Sequence, residues 1–441
     1  MREILVKSEE FKDSPLGKIP KNWQVDKLVA RASVFGGKRL PLGHFYSDTP
    51  TEFRYLRVLD FFERDIEFEA LEFLKPSTFK ALERYEIYKG NLFISIAGSL
   101  GYVGVFRPPH QQRTILTENA ARIVIQDDSV PEFLAYQMNS SVVQKQIEAE
   151  KGTGGGVPKL ALFRIENLLL VFPPREEQEK IVAILETFDK AIAHTSSLIA
   201  KLKQMKAGLL HDLLTRGLDE NGELRDAIGH PEQFKDSPLG QIPKNWEVIK
   251  LGSVTDIENG TTPSREEPKL WNEGTIPWLA TGKVHDRFIY QADEFITKYA
   301  LRVCSLRLLP IGTILVAMIG QGLTRGKVAY LAFEASINQN FGAILPCSSF
   351  DSRFLFHYLD FNYEYVRGSS RGSNQQALNC AVIAGLEVIC PPKDEQKAIA
   401  TSIDVYDTRI RTEEAYRDKL KLQKQGLMHD LLTGMIRVKD T

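Results

Sequence analysis

Residues 320–328, GQGLTRGKV, are the part of this sequence nearest to a nucleotide-binding loop. A phosphate-cradling loop needs four residues between its first glycine and the Gly-Lys pair, then a hydroxyl side chain to hold magnesium. Here five residues separate Gly320 from Gly326, and Val328 stands where the hydroxyl belongs. The Gly320 and Gly322 pair also lacks the third glycine at dinucleotide-binding spacing. The eight histidines are scattered rather than grouped as metal ligands, and neither H-E-x-x-H nor G-x-S-x-G occurs. His211 and His429 sit at matching places, where a favourable interaction with a helix end or a partner contact outweighs a role as a base. Two Pro-Pro pairs, at Pro173 and Pro391, lack the preceding Asn or Asp and the following aromatic with which amino-methyltransferases grip a flipped base. The chemistry-bearing residue types are present, but none is spaced for catalysis.

Composition narrows the class further. The 441 residues are 43% hydrophobic and 26% charged, ordinary for a folded soluble protein of two to three domains. The formal net charge of -1 provides no global field for a polyanion, so any nucleic-acid contact must rest on local basic surfaces. Cys304, Cys347, Cys380 and Cys390 form no C-x-x-C pair, which argues against a zinc site and a disulfide framework and suits a reducing cytoplasm. The first residues lack a signal-peptide core, and no apolar run reaches the length of a membrane span. The expectation is a soluble cytoplasmic protein.

An internal repeat organises the chain. FKDSPLGKIPKNWQVDKL, around Trp23, returns as FKDSPLGQIPKNWEVIKL around Trp246. PPREEQEKI from Pro173 returns as PPKDEQKAI from Pro391, and GLLHDLLT ending at Thr215 returns as GLMHDLLT ending at Thr433. The distance from Trp23 to Thr215 matches that from Trp246 to Thr433 to within five residues, yet the intervening sequences differ widely. That is the pattern of one fold carrying two different surfaces.

The segment after the Pro-Pro pair at Pro173, and that after the pair at Pro391, reads as a long helix. Ile181, Leu185, Phe188, Ile192, Thr195, Ile199, Leu202, Lys206, Leu209 and Leu213 step by four and three, as do Ile399, Ile403, Tyr406, Ile410, Glu413, Arg417, Leu420, Lys424, Leu427 and Leu431. Acidic residues (Glu176, Glu177; Asp394, Glu395) suit the helix starts, and Gly217 and Gly434 suit the ends. A helix of roughly 39 residues would be about 58 Å long, too long to bury its stripe on one compact domain. Its natural partner is the other copy, laid antiparallel, with Glu413 and Arg417 facing Thr195 and Ile199 as a register device.

The remaining segments read as mixed domains. Residues 87–106 and 308–333 alternate strand-like runs with glycine turns, and 131–148 and 351–366 read as helices. The expected fold class is α+β (mixed α/β): two globular domains joined by two long antiparallel coiled-coil helices, with a pseudo-two-fold repeat. Boundaries are expected at 1–172 and 234–390 for the domains, 173–216 and 391–434 for the helices, 217–233 for a polar linker and 435–441 for a tail.

N-W-x-V-x-x-L opening each half, P-P-x-x-E-Q leading into each long helix and H-D-L-L-T closing it together resemble the specificity subunits of type I restriction-modification systems. Residues 260–265 (GTTPSR), 276–279 (IPWL) and the Asn338-Gln339-Asn340 run strengthen the resemblance in the second half. The first half departs from it, with Gly36-Gly37-Lys38 in place of the T-P-S-R turn and residues 116–119 (LTEN) in place of N-Q-N. The resemblance implies a non-catalytic protein with two target recognition domains that read the two halves of a bipartite, asymmetric double-stranded DNA site. Such domains would contact half-sites with centres about 34 Å apart, one helical turn. It also implies two methyltransferase subunits and restriction motor-nuclease subunits as partners, with S-adenosylmethionine, ATP and magnesium held there and none in this chain.

Reading DNA requires Arg or Lys for guanine edges and phosphates, Asn or Gln for adenine, and small residues where the backbone approaches closely. In the second domain Thr261, Thr262, Ser264, Arg265, Gln321, Thr324, Arg325, Lys327, Arg367, Arg371, Asn374 and Gln375 combine these types. In the first, Lys38, Arg39, Ser99, Tyr102, Arg107, Lys151 and Lys159 occupy comparable places. Trp23, Trp246 and Trp278 are expected to anchor cores, and Lys201, Lys203, Lys206, Lys419, Lys421 and Lys424 to form a solvated helix face.

Overall fold

The computed structural model describes residues 5–7, 10–62, 65–109, 112–149, 159–320, 322–369 and 377–438. Contacts divide the chain into two compact units, Met1–Ser196 with Ala415–Thr441, and Ser197–Glu414. The division falls within both long helices, Arg175–Thr215 and Lys393–Thr433. Each unit therefore holds one mixed domain, the first half of the helix that follows it and the second half of the other helix. Compactness follows helix pairing rather than chain order.

Within each unit the helix halves run antiparallel. In the first, Glu177 pairs with Arg437, just beyond the second helix, and Asp189 with Lys424. In the second, Lys203 meets Glu414 at 2.7 Å and Lys206 meets Asp407 at 2.6 Å, so one index rises as the other falls. The apolar seam is buried as its period requires, with Ile181, Leu185 and Leu431 in one core and Leu213, Ile399 and Ile403 in the other. Glu413 and Arg417 do not act as expected: they pair along their own helix with Arg409 at 2.7 Å and Asp418 at 2.9 Å. Neighbours on one helix reach each other without crossing the seam.

The P-P-x-x-E-Q motif has a structural reason in both copies. Gln178 accepts a hydrogen bond from the Val130 backbone at 2.9 Å and donates to the Pro173 carbonyl. Gln396 repeats this with Asp351 and Pro391. Glu177 accepts from the buried Trp23 indole at 3.0 Å and from Arg437, while Glu395 accepts from Arg225 at 2.5 Å and from the Leu218 amide. The motif thus fastens each helix start to its own domain and to the chain that emerges from the other helix.

Those emerging segments are more ordered than a linker and a tail. Leu218 and Leu224 form a bridge and pack on the second core. Gly217, at φ +65°, lies so close to Trp246 that a Cβ would come within 2.4 Å of its ring. Ile436–Val438 pairs as a strand with Leu5–Lys7. Gly434, at φ +71°, brings the chain against Pro20 and Trp23. Both glycines end their helices in the left-handed conformation that only they adopt without strain.

Each domain is built on two sheets, both of four strands in the first domain and of five and three strands in the second, where Phe288–Ile289 joins the five-stranded sheet parallel to Val328–Leu331. In the first, the order is Val103–Val105, Leu92–Ser95, Ala120–Ile125, Ala32–Gly36, beside a sheet in which Phe53–Leu56 and Arg113–Leu116 run parallel. In the second, Ile257–Asn259, Phe341–Ile344, Ile314–Ala317 and Val328–Leu331 keep the same neighbours, and Ile276–Leu279 runs parallel to Ser336–Ile337. The helices expected at 131–148 and 351–366 are each broken, giving Pro131–Met138 and Ser141–Ala149, then Ser352–Phe361 and Tyr363–Gly368. Asn139 and Asn362 explain the breaks: each side-chain amide donates to the carbonyl four residues back, at 2.7 Å on Ala135 and 2.9 Å on Tyr358, capping the first helix. Trp23, Trp246 and Trp278 are at most 2% exposed, as core anchors should be.

Candidate nucleic-acid interface

A tight backbone crossing after the strands Ala32–Gly36 and Ile257–Asn259 creates a comparable cleft in each domain. A Cβ on Gly37 would lie 2.1 Å from the Thr117 carbonyl, and one on Gly260 would lie 1.8 Å from that of Ile337. Only glycine permits this approach. An aromatic side chain then fixes the following turn: the Tyr55 hydroxyl donates to the Lys38 carbonyl at 2.8 Å, and the Trp278 indole to the Thr261 carbonyl at 3.1 Å. Burial pushes the Tyr55 hydroxyl up to about 12, so it stays protonated and able to donate. The next position faces the opposite turn. Arg39 pairs with Glu118 at 3.3 Å in the first domain, and Thr262 donates to Gln339 at 2.6 Å in the second.

In the first domain this frame opens a cavity of about 1070 Å³. Arg39, Ser99 and Lys159 all line it, with Glu118 as the acidic neighbour. Lys38 is exposed beside them. The backbone bridge between Ala97 and Lys159 brings two sequence-distant segments to one rim. Tyr102 is turned inward, against Phe61. Arg107 lies elsewhere, paired with Glu132 and with Glu186 at 3.6 Å beside the first long helix, and does not join the group. Lys151 falls outside the described residues.

In the second domain the Thr262 and Gln339 pair sits beside a turn whose charge is already engaged. Arg265 stacks on Trp271 at 3.7 Å and pairs with Glu294 at 2.5 Å, and Ser264 accepts the Trp271 indole on its carbonyl. Thr324 and Lys327 gather around His285, each at 3.4 Å. Arg367 donates to the Arg325 carbonyl at 3.2 Å and to the Tyr363 hydroxyl at 2.9 Å, and so braces the loop. The Met318 amide bonds to Asn340 at 2.9 Å, bringing that loop next to the Asn338-Gln339-Asn340 turn. Gln321, Arg371, Asn374 and Gln375 fall outside the described residues.

Sequence reading passed over several neighbours of these sites: His44, Phe45 and Leu59 in the first cleft, and His285 in the second. One signal was available, since residues 37–47 (GKRLPLGHFYS) carry basic residues and no acidic one. Of the helix lysines, Lys201, Lys419 and Lys421 are exposed as a solvated face requires, and the others depart from it. Lys206 and Lys424 are largely buried in ion pairs and Lys203 is paired across the helices, because the seam leaves carboxylates within their reach.

His357, Asp404 and Asp407 also come together, with ligand atoms within 4.8 Å of one another. Their negative charge is met by protein cations: Arg353 on Asp404 at 2.7 Å, and Lys206 at 2.6 Å and Arg287 at 3.6 Å on Asp407. The group is a charge-compensated link between domain and helix. Desolvation lowers the His357 pKa, although Asp404 opposes the shift.

A duplicated domain that keeps one frame and changes the side chains of its cleft defines a pair of recognition modules. A family model described as the type I restriction modification DNA specificity domain matches twice, over residues 53–204 and 243–422, and the chain belongs to that family. It is 25% identical to the putative type I restriction enzyme MjaX specificity subunit of Methanocaldococcus jannaschii, across 98% of each chain. To the MjaVIII specificity subunit of the same organism it is 28% identical, across 70% of each. Among solved structures, the type I restriction-modification S subunit from M. genitalium aligns with a TM-score of 0.60 at 15% identity, covering 97% of this chain and 100% of that one. A chain from a structure concerned with complex assembly and conformational transition of the type I system aligns with a TM-score of 0.54 at 18% identity, covering 95% and 99%. These two share the fold. No helix among the described residues is long and apolar enough to cross a membrane.

Proposed function

We propose that this chain is the DNA-reading subunit of a type I restriction-modification complex, each domain contacting one half of a bipartite, asymmetric target. The observation that carries this reading is the exchange of Arg39 and Glu118 for Thr262 and Gln339 on one backbone frame. A common frame with different hydrogen-bonding groups at its opening suits two similar dockings on two different base sequences. With a net charge of -1, the attraction to phosphates falls to local groups such as Lys38, Arg39, Lys159 and Lys327.

The candidate residues divide by what already holds them. Ser99 offers a hydroxyl for hydrogen bonding to DNA, Thr262 and Thr324 offer theirs by exchanging the bonds to Gln339 and His285, and Arg265 and Arg367 shape the loops that present them. The long helices carry two methyltransferase subunits, and the motor-nuclease subunits join that assembly. S-adenosylmethionine, ATP and magnesium belong to those partners, and this chain supplies the address.

The test is duplex binding by this chain assembled with its methyltransferase subunits, measured across a salt series, followed by mapping of methylated adenines. Six phosphate contacts would lower affinity by about 10³ between 50 and 200 mM salt. A methylated sequence made of two unlike parts around an unspecified gap is expected. Salt-insensitive or absent binding would overturn DNA reading, and a gapless target would overturn the bipartite arrangement.

A further inference from the structure

The cleft of the first domain is edged by apolar side chains that its own core leaves uncovered. Phe45 is 68% exposed and Leu59 is 74% exposed, and both line the cavity that holds Arg39 and Lys159. Neither projects from a loosely held segment. The loop bearing Phe45 is fastened by the Lys38 amide on the Leu116 carbonyl at 2.9 Å, by the His44 ring to Thr78 at 3.1 Å, and by the Ser47 amide on Phe73 at 2.7 Å. Leu59 sits in the short helix Val58–Asp60, where Arg57 binds Asp60 at 2.8 Å and Glu72 at 2.6 Å. Single exposed apolar residues are ordinary on any surface, but two braced ones in a cleft with the exposed Lys38 and Lys159 at its rim suit an apolar feature of a polyanion.

In the major groove of duplex DNA the prominent apolar feature is the C5-methyl group of thymine. A phenyl or isobutyl side chain against a guanine, adenine or cytosine edge would desolvate donors and acceptors without replacing their hydrogen bonds. The second domain has no counterpart to this arrangement at the Leu59 position, which Gly282 takes with open space around it. Its neighbouring Thr281 hydroxyl donates to the buried Asn338 at 3.0 Å, and the exposed apolar residue of this domain's cleft is instead Leu323, on the loop that meets His285.

We propose that the first domain selects thymine in its half-site by methyl contact with Phe45 and Leu59, while Lys38 and Lys159 hold the flanking phosphates. This rests on the DNA-reading function proposed above. The probe is the mapped target duplex with the thymines of one half-site at a time replaced by deoxyuridine, which removes only the methyl. Binding is measured with the complete complex of this chain and its methyltransferase subunits.

Replacement in one half-site is expected to weaken binding about four-fold per contacted methyl. Phe45→Ser with Leu59→Ser should abolish that difference between thymine and deoxyuridine, while salt-dependent binding persists. Equal affinity for thymine and deoxyuridine duplexes, with tight salt-dependent binding intact, would overturn the methyl contact and leave DNA reading standing. Sensitivity to deoxyuridine that the double variant retains in full would overturn the assignment to Phe45 and Leu59. Failure to bind any duplex would overturn both proposals. The deoxyuridine arm requires no variant, so misfolding of a variant cannot mask the result.

Discussion

Lys206 donates to Asp407 at 2.6 Å across the paired helices, and one repeat later Lys424 pairs with Asp189. The same two sequence positions are used in both copies with their helices exchanged. That is the signature of a two-fold device rather than two unrelated salt bridges. Lys206 and Asp407 are only 13% and 8% exposed, so desolvation opposes their pairing while each remains the other's principal compensation. Burial lowers the pKa of Lys206, with Arg287 adding to that effect and Asp407 opposing it.

Removing one member should therefore cost more than removing both. Lys206→Met is expected to destabilise by about 3 kcal/mol, and Lys206→Met with Asp407→Leu to recover most of that loss. Chemical denaturation of the four-member cycle checks this, and equal losses in the single and double variants would refute the coupling.

Glu177 binds both the Trp23 indole and Arg437, so it ties the first domain to the strand that follows the second helix. Glu177→Ala is expected to cost about 3 kcal/mol by leaving the buried indole without its acceptor and Arg437 with only Asn22. Hydrogen exchange should speed up in Ile436–Val438 and around Trp23 and stay unchanged around Trp246. Uniform acceleration across both units would contradict a local fastening.

The buried His357 makes stability depend on pH with a defined sign. Its folded pKa lies below the ordinary histidine value of 6.5 because desolvation disfavours the imidazolium, outweighing the attraction of Asp404. The unfolded chain then binds the extra proton first. Stability is full above pH 6.5 and falls as pH drops through that value toward the folded pKa, by at most about 1.4 kcal/mol per pH unit for one proton. Denaturation midpoints from pH 8 to 5.5 should show this slope in the native chain and a shallower one in His357→Gln.

Gly260 admits no side chain, since a Cβ would sit 1.8 Å from the Ile337 carbonyl. Gly260→Ala should cost at least about 2 kcal/mol and displace the Thr262 turn. In duplex-binding assays it should weaken discrimination in one half-site only, with Gly37→Ala acting on the other. Loss of discrimination at both half-sites from either variant alone would show that the clefts do not act separately.

Much of the architecture was legible because repetition and periodicity are one-dimensional signals. The spacing of Trp23, Trp246, Thr215 and Thr433 gave away the duplication, and the steps through Ile181 and Ile399 identified the helices. Alternation of apolar runs with glycine located the strands Leu92–Ser95 and Ile314–Ala317. The motif P-P-x-x-E-Q was visible as a repeated block, but its meaning was not. Arg225 and Arg437, which satisfy its glutamates, lie far along the chain in segments that read as a linker and a tail.

Tertiary structure decided which polar residues are available. Arg265, Arg367 and Arg107 have the residue type of a DNA contact, yet each is engaged by a stacking ring, a loop carbonyl or a carboxylate that sequence order does not bring near. Phe45 and Leu59 look like core residues by type and become surface features only because their loops are fastened outward. Apolar period and repeat spacing are properties of the chain itself, so the sequence alone determined a duplicated mixed domain with long paired helices. Availability at a cleft depends on what else reaches the same space, and only folding brings those competitors together.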